Sequence, residues 1–170
     1  MYFGASMAKI KTATFDTGPV MHLYEIQQIS VLNIITHKIV PNEVIRELSR
    51  QKIPTINVKE IPLNAKSKDF AKLLIKRYQL DLGEAQAIAL TIQEKTDCFF
   101  TDDLDARTVA HSFSIQVHGT LGLITRALRE HVITKDEAKR AIQDLHKQST
   151  LFLTSDLVTW ALQEIESYKR

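Results

Sequence analysis

The sequence predicts an α/β protein: a three-layer α/β/α sandwich with a central, mainly parallel sheet. Three observations carry this. Short β-branched or aromatic runs alternate with helical stretches of about ten residues or more, the rhythm of strands joined by helical crossovers. A length of 170 residues, 44% of them apolar, fits one domain with a sizeable core, so 1–170 is read as a single domain. No repeat, low-complexity tract or Gly/Ser linker divides the chain.

The elements follow in order. TATF, 12–15, is a strand that ends at Asp16. Thr-Gly-Pro then breaks it, with Thr17 suited to a cap and Pro19 to a first helical turn. Val20, Leu23 and Ile26 keep helical spacing. HKIV, 37–40, is a second strand, and Pro41 starts a helix carrying Val44, Ile45 and Leu48. INVKEIPL, 56–63, is extended and contains Pro62, which marks an edge segment or a loop. Helices are expected near 66–78 and 82–94. The strand CFFT, 98–101, comes next, then a helix near 103–112, a short strand IQV at 115–117 and a helix over 120–129. A further helix spans about 136–146, LFLT is a short strand or extended piece, and DLVTWALQEI is a closing helix.

Composition narrows the function classes. The net charge of +2 is mild, so it permits a nucleic-acid partner without arguing for one. The lone cysteine, Cys98, excludes an internal disulfide and suits a reducing compartment. The first residues, MYFGASMAKIKT, lack the apolar core of a signal peptide, and no apolar run reaches membrane-spanning length. A cytoplasmic protein is expected, with no membrane partner and with 1–11 as a flexible extension.

The chemistry lies in the acids. Ligands of open α/β sheets bind outside the carboxyl ends of the strands. Asp16 ends the first strand, Asp102 and Asp103 end CFFT, Asp105 follows, and Glu84 opens the helix that leads into CFFT. Each has a plainer reading. DLGE, 81–84, matches a capping box, and TDDLD can cap a helix with Asp102 at the N-cap and Asp105 three residues on. TKDE, 134–137, shows the same pattern with no catalytic residue nearby. Glu47 alone reads as a solvated helix residue. Asp16 is the hardest to dismiss, because an unpaired carboxylate at the end of a central strand is costly. Together, acids at one sheet edge repel one another unless a cation balances them. Their hard oxygens suit Mg²⁺ or Mn²⁺, and such an ion implies phosphate chemistry. The six histidines are scattered without HExxH spacing, which disfavours zinc. No Walker or dinucleotide glycine motif occurs, and no GxSxG elbow. GTLG, 119–122, is a turn into a helix that could bring the N–H groups around Thr120 near a phosphate. Arg107, one helical turn beyond the acids, is either a positive partner for substrate phosphates or one half of a surface salt bridge.

FDTGPV, VPNEVIREL, LGEAQAIALT and FFTDDLDAR occur in that order, and VHGTLGLI follows a short strand. In this order they resemble the PIN-domain ribonucleases, and within them the VapC-like toxins and their relatives, over roughly Thr12 to Ile165. Ala106 stands where that subgroup has glycine. The resemblance implies a PIN-like sandwich and Mg²⁺- or Mn²⁺-dependent hydrolysis of RNA. It implies Asp16, Glu47, Glu84 and Asp103 as catalytic acids, with Asp16, Glu84 and one or more of Asp102, Asp103 and Asp105 on metal. Thr17, Arg107 and Thr120 would face substrate. A homodimer and an antitoxin protein are the implied partners, the latter if the chain is the toxin of a toxin–antitoxin pair. The alternative is a PIN-like module that binds RNA or a protein without catalysis, although a pure binder gains nothing from mutually repelling acids. A phosphatase using Asp16 as nucleophile would want a second acid two residues on, where Gly18 stands.

Overall fold

The computed structural model describes residues 9–54 and 58–168. Residues 1–8 of the expected extension, and the first two of INVKEIPL, lie outside the described residues. Five short strands form one parallel sheet: β1 (Thr12–Phe15), β2 (His37–Val40), β3 (Lys59–Glu60), β4 (Cys98–Phe100) and β5 (Val117–His118). Their order is β3-β2-β1-β4-β5, so the first strand is central and the chain reverses direction across it. Such a reversal opens a crevice at the C-terminal ends of the middle strands. Register is tight there. Phe15 pairs with Phe100 and Phe100 with His118, which brings Asp16, Thr101 and Gly119 level at the same edge.

Helices cover both faces. Alternation along the strands divides the core: Ala13, Phe15, Cys98 and Phe100 point to one side, and Phe99 to the other. The first side packs against α1 (Thr17–Glu25), a 3₁₀ turn (Ile29–Ile34), α6 (Thr120–Arg129), α7 (Lys135–Gln148) and α8 (Ser155–Ser167). Val44 and Leu48 of α2 (Asn42–Arg50) join it. The second side packs against α3 (Ala65–Tyr78), α4 (Leu82–Glu94) and α5 (Leu104–Ser112). The result is the three-layer α/β/α sandwich the sequence predicts. In α4 the small residues Ala85, Ala87 and Ala89 are buried, which lets this helix lie close against its neighbours. It ends where Lys95 takes a left-handed φ of 51° and turns the chain into β4.

The differences from expectation are local. Of IQV only Val117 lies within β5, with Gln116 O accepting from the Phe99 N–H at 2.9 Å, because the N–H of Ile115 bonds back to Ala110 O at 3.1 Å and still closes the end of α5. LFLT is extended but lies outside the sheet. Leu153 is buried in the core, and the Thr154 side chain caps α8 by accepting from the N–H of Leu157. Among the described residues no helix is long and apolar enough to cross a membrane.

Candidate active site

Asp16 follows the last residue of β1, at the N-terminus of α1. Its N–H donates to Phe100 O at 2.9 Å, so the central ladder holds its backbone. Its carboxylate does not cap α1. It accepts instead from the Thr101 hydroxyl at 3.0 Å. Only 8% of the residue is exposed. Burial raises its pKa from 3.8 to about 7; the Thr17 N–H and the Thr101 hydroxyl oppose the rise, while the charges of Asp81 and Glu47 add to it.

Glu84 opens α4. It forms the expected capping box with Asp81, accepting from the Asp81 N–H at 3.0 Å while Asp81 accepts from the Glu84 N–H at 2.8 Å. The cap and the site are one arrangement here. Burial raises Glu84 from 4.5 to about 8, and Asp81, Asp103 and Asp16 add to the rise by repulsion. Glu47 is not a free surface residue. It is half-buried on α2, and the Thr17 hydroxyl donates to its Oε2. Burial raises its pKa too, with Asp81 again among the repelling charges. Gly83 explains how Glu47 comes so close. A Cβ at Gly83 would lie 2.7 Å from Glu47 Oε1 and 3.0 Å from Oε2, so α4 and this carboxylate meet only because residue 83 has no side chain.

The TDDLD acids separate. The N-cap of α5 is Asp103, not Asp102 as the capping pattern suggested: Asp103 Oδ1 accepts from the Ala106 N–H at 2.8 Å. The register shifts because the Thr101 hydroxyl accepts from the Asp103 N–H at 3.2 Å and turns the chain one residue later. Asp103 is exposed, and its charge is near enough to Glu84 to repel it. Asp102 turns the other way. It accepts from His22 Nδ1 at 2.7 Å, from the Thr120 N–H at 2.7 Å and from the Thr120 hydroxyl at 2.5 Å. Burial disfavours its charge, but these donors outweigh burial and hold its pKa below the usual value. Its oxygens are therefore engaged in joining α1 to the start of α6. Asp105 is exposed on the first turn of α5.

Of the expected acids, Asp16 lies within electrostatic reach of Glu47 and Glu84, and Glu84 within reach of Asp103, while Asp102 and Asp105 lie beside them. Thr17 sits within the cluster through Glu47. Thr120 sits on Asp102, with its N–H already bonded. Asp81, Thr101 and His22 were missed. Asp81 was visible as a cap but gave no sign that its charge reaches Asp16 and Glu47. Thr101 carried no signal beyond its place before the acids.

Among the described residues no group of three or more His, Cys, Asp or Glu side chains stands ready-formed to hold an ion. The donor chemistry nonetheless fits a hard divalent cation. Burial above all, and repulsion from neighbouring acids after it, raise the pKa values of Asp16 and Glu84, and a bound cation would offset both. Asp16, Glu84 and Asp103 are the residues available to hold it, with Glu47 adjoining.

A parallel sheet with acids at the C-terminal edge of its central strands defines a class of α/β domain. A family model described as PIN domain matches residues 12–167, and the chain belongs to the PIN-domain family. PIN domains are in general nucleases and typically use divalent metal ions. No curated protein matches the chain.

Proposed function

We propose that the chain is a Mg²⁺- or Mn²⁺-dependent endoribonuclease that hydrolyses RNA phosphodiester bonds in the cytoplasm, as the toxin of a toxin–antitoxin pair. The observation that supports this best is the convergence of Asp16, Glu84 and Asp103, with Asp16 and Glu84 raised to about 7 and 8. A bound divalent ion supplies Lewis acidity toward the phosphate and eases ionisation of water. Asp16, held by Thr101, and Glu84 and Asp103, held at their helix starts, would hold that ion. Glu47, oriented by Thr17, would accept a proton from the attacking water. Cleavage of a mixed pool of unstructured RNA in Mn²⁺, with EDTA as the blank, tests the reading. Hydrolysis that persists in EDTA overturns it. An antitoxin would be a small protein that co-purifies with the chain and stops this cleavage.

The raised pKa values make a prediction about stability. Below about pH 3 both acids are protonated in the folded and the unfolded chain, so they impose no penalty. As pH rises the unfolded chain releases these protons first, and the fold loses stability until Asp16 and Glu84 ionise near 7 and 8. The metal-free melting temperature should therefore fall across this window. Mn²⁺ should raise it most at the alkaline end, where it no longer competes with protons. Thermal melts of Asp16→Asn should show a shallower pH dependence and little response to Mn²⁺. Equal Mn²⁺ shifts in both proteins would count against the site.

A homodimer belongs to the same proposal. The apolar run VLNII lends it no surface, because Val31, Leu32, Ile34 and Ile35 are buried in the chain's own core. What supports it is family resemblance and the exposed apolar side chains of Phe152 and Leu157, 85% and 38% exposed, at and before α8. Light scattering at micromolar protein should give twice the chain mass of 19.4 kDa. The monomer mass would sink this part.

A further inference from the structure

Arg107 lies beside the acids without belonging to them. Its Nε donates to Thr101 O at 3.0 Å. The hydroxyl of the same Thr101 donates to Asp16, and its N–H to His118 O at 3.0 Å. One residue therefore ties the guanidinium, the central acid and the end of β5 together. Asp102 Oδ1 stands 4.0 Å from a terminal nitrogen of Arg107, close enough to attract it but too far to accept a hydrogen bond. Asp102 already accepts from His22 and Thr120.

Gly119 completes the seat. A Cβ there would fall 1.9 Å from the terminal NH2 nitrogen of Arg107 and 2.5 Å from Asp102 Oδ1. The guanidinium therefore occupies the space a side chain would need, against the turn that starts α6. A guanidinium has five N–H donors in a fixed fork. Here only the one on Nε is bonded, and the side chain is 28% exposed. No side-chain nitrogen or oxygen among the described residues is buried without a partner, so the terminal nitrogens reach solvent. A cation held on three sides, with its paired donors free and the acid cluster one residue away, has the form of a bidentate seat for a phosphate.

Resting on the nuclease reading above, we propose that Arg107, seated over Gly119, forms a second phosphate subsite that takes the backbone phosphate next to the scissile one in a single RNA strand. The subsite makes the enzyme favour a strand with at least two consecutive phosphates over an isolated phosphodiester. Asp102, Thr101 and Gly119 are its positioning residues. They act by holding the guanidinium, and none of them touches the phosphate.

The test reads RNA binding rather than turnover. Full-length protein carrying Asp103→Asn, to suppress cleavage, is titrated in Mn²⁺ against a fluorescein-labelled single-stranded RNA of mixed sequence at several salt concentrations. Adding Arg107→Ala should weaken binding about tenfold and reduce the slope of log affinity against log salt by about 0.7, the value for one phosphate contact on a single strand. Arg107→Lys should keep the slope but recover only part of the affinity. Gly119→Ala should weaken binding as Arg107→Ala does, and should cost nothing further when the two are combined. Lys139→Ala, which removes a partly exposed charge paired with Glu166, is the control for charge alone and should change little. Unchanged affinity and slope in Arg107→Ala would overturn the subsite, as would an equal loss in Lys139→Ala or no binding by the parent. If Gly119→Ala does not fold, the Arg107 variants still decide the matter. Binding through Arg107 with no cleavage by wild type would count against the hydrolytic reading and leave the subsite standing. Cleavage by wild type with Arg107→Ala binding unchanged would remove the subsite alone.

Discussion

Asp103→Asn should lower metal-dependent hydrolysis of RNA by roughly 10²–10³-fold, the effect of removing one electrostatic stabiliser from an active site, and should not lower the metal-free melting temperature. The residue has two roles, and this substitution separates them. Asp103 caps α5 by accepting from the Ala106 N–H, and Asn is as good an N-cap as Asp. Its carboxylate charge also joins the repelling set around Glu84, and Asn carries no charge. Asp103→Ala should lose both, with a further cost of about 1 kcal/mol from the missing cap. Rates on unstructured RNA in Mn²⁺, set beside thermal melts, make the comparison. An Asp103→Asn protein as active as wild type would show that this residue is only a cap.

The largest effect on stability is expected from Phe100→Ala. The side chain is fully buried and stacks on Phe15 with ring centroids 5.0 Å apart. The His118 ring lies 6.2 Å from it. Removing it should cost about 3–5 kcal/mol through lost apolar burial and the cavity left behind. Urea denaturation should show the midpoint falling with little change in slope. Activity should fall as well, because Phe100 O accepts the Asp16 N–H and a loosened strand end would free that acid. A loss under about 1 kcal/mol, in the range of an ordinary surface change, would mean that the packing at the sheet edge is not what holds the site.

Most of the fold was legible along the chain because its signals are local. TATF, HKIV and CFFT are apolar runs of strand length, and the boundaries of α4 and α6 follow from a capping box and from the turn at Gly119. The parts left open or misread are those where a neighbour decides. LFLT, read as a short strand or an extended piece, is the second: it joins neither edge of the sheet and becomes a packed connection capped into α8. Ile115 looks like the start of a strand, but it is still bonded to α5.

The acids divide in the same way. Asp16 and Glu84 were legible because the end of a buried strand and the start of a following helix are places sequence can find, and parallel strands put such places at one edge. Glu47 and Asp102 were not. Glu47 was taken from the residues alone for a solvated side chain, and it enters the cluster only because Gly83 leaves room and Thr17 reaches across from α1. Asp102 and Asp103 are adjacent and alike, yet one bonds to His22 and Thr120 while the other caps α5 and reaches Glu84 only through its charge. Composition and periodicity specify which elements form and which of their ends align. Which neighbour a side chain meets depends on contacts between elements distant in the chain, as Arg107 meets Gly119 across the gap between α5 and α6, and only the packed structure contains those contacts.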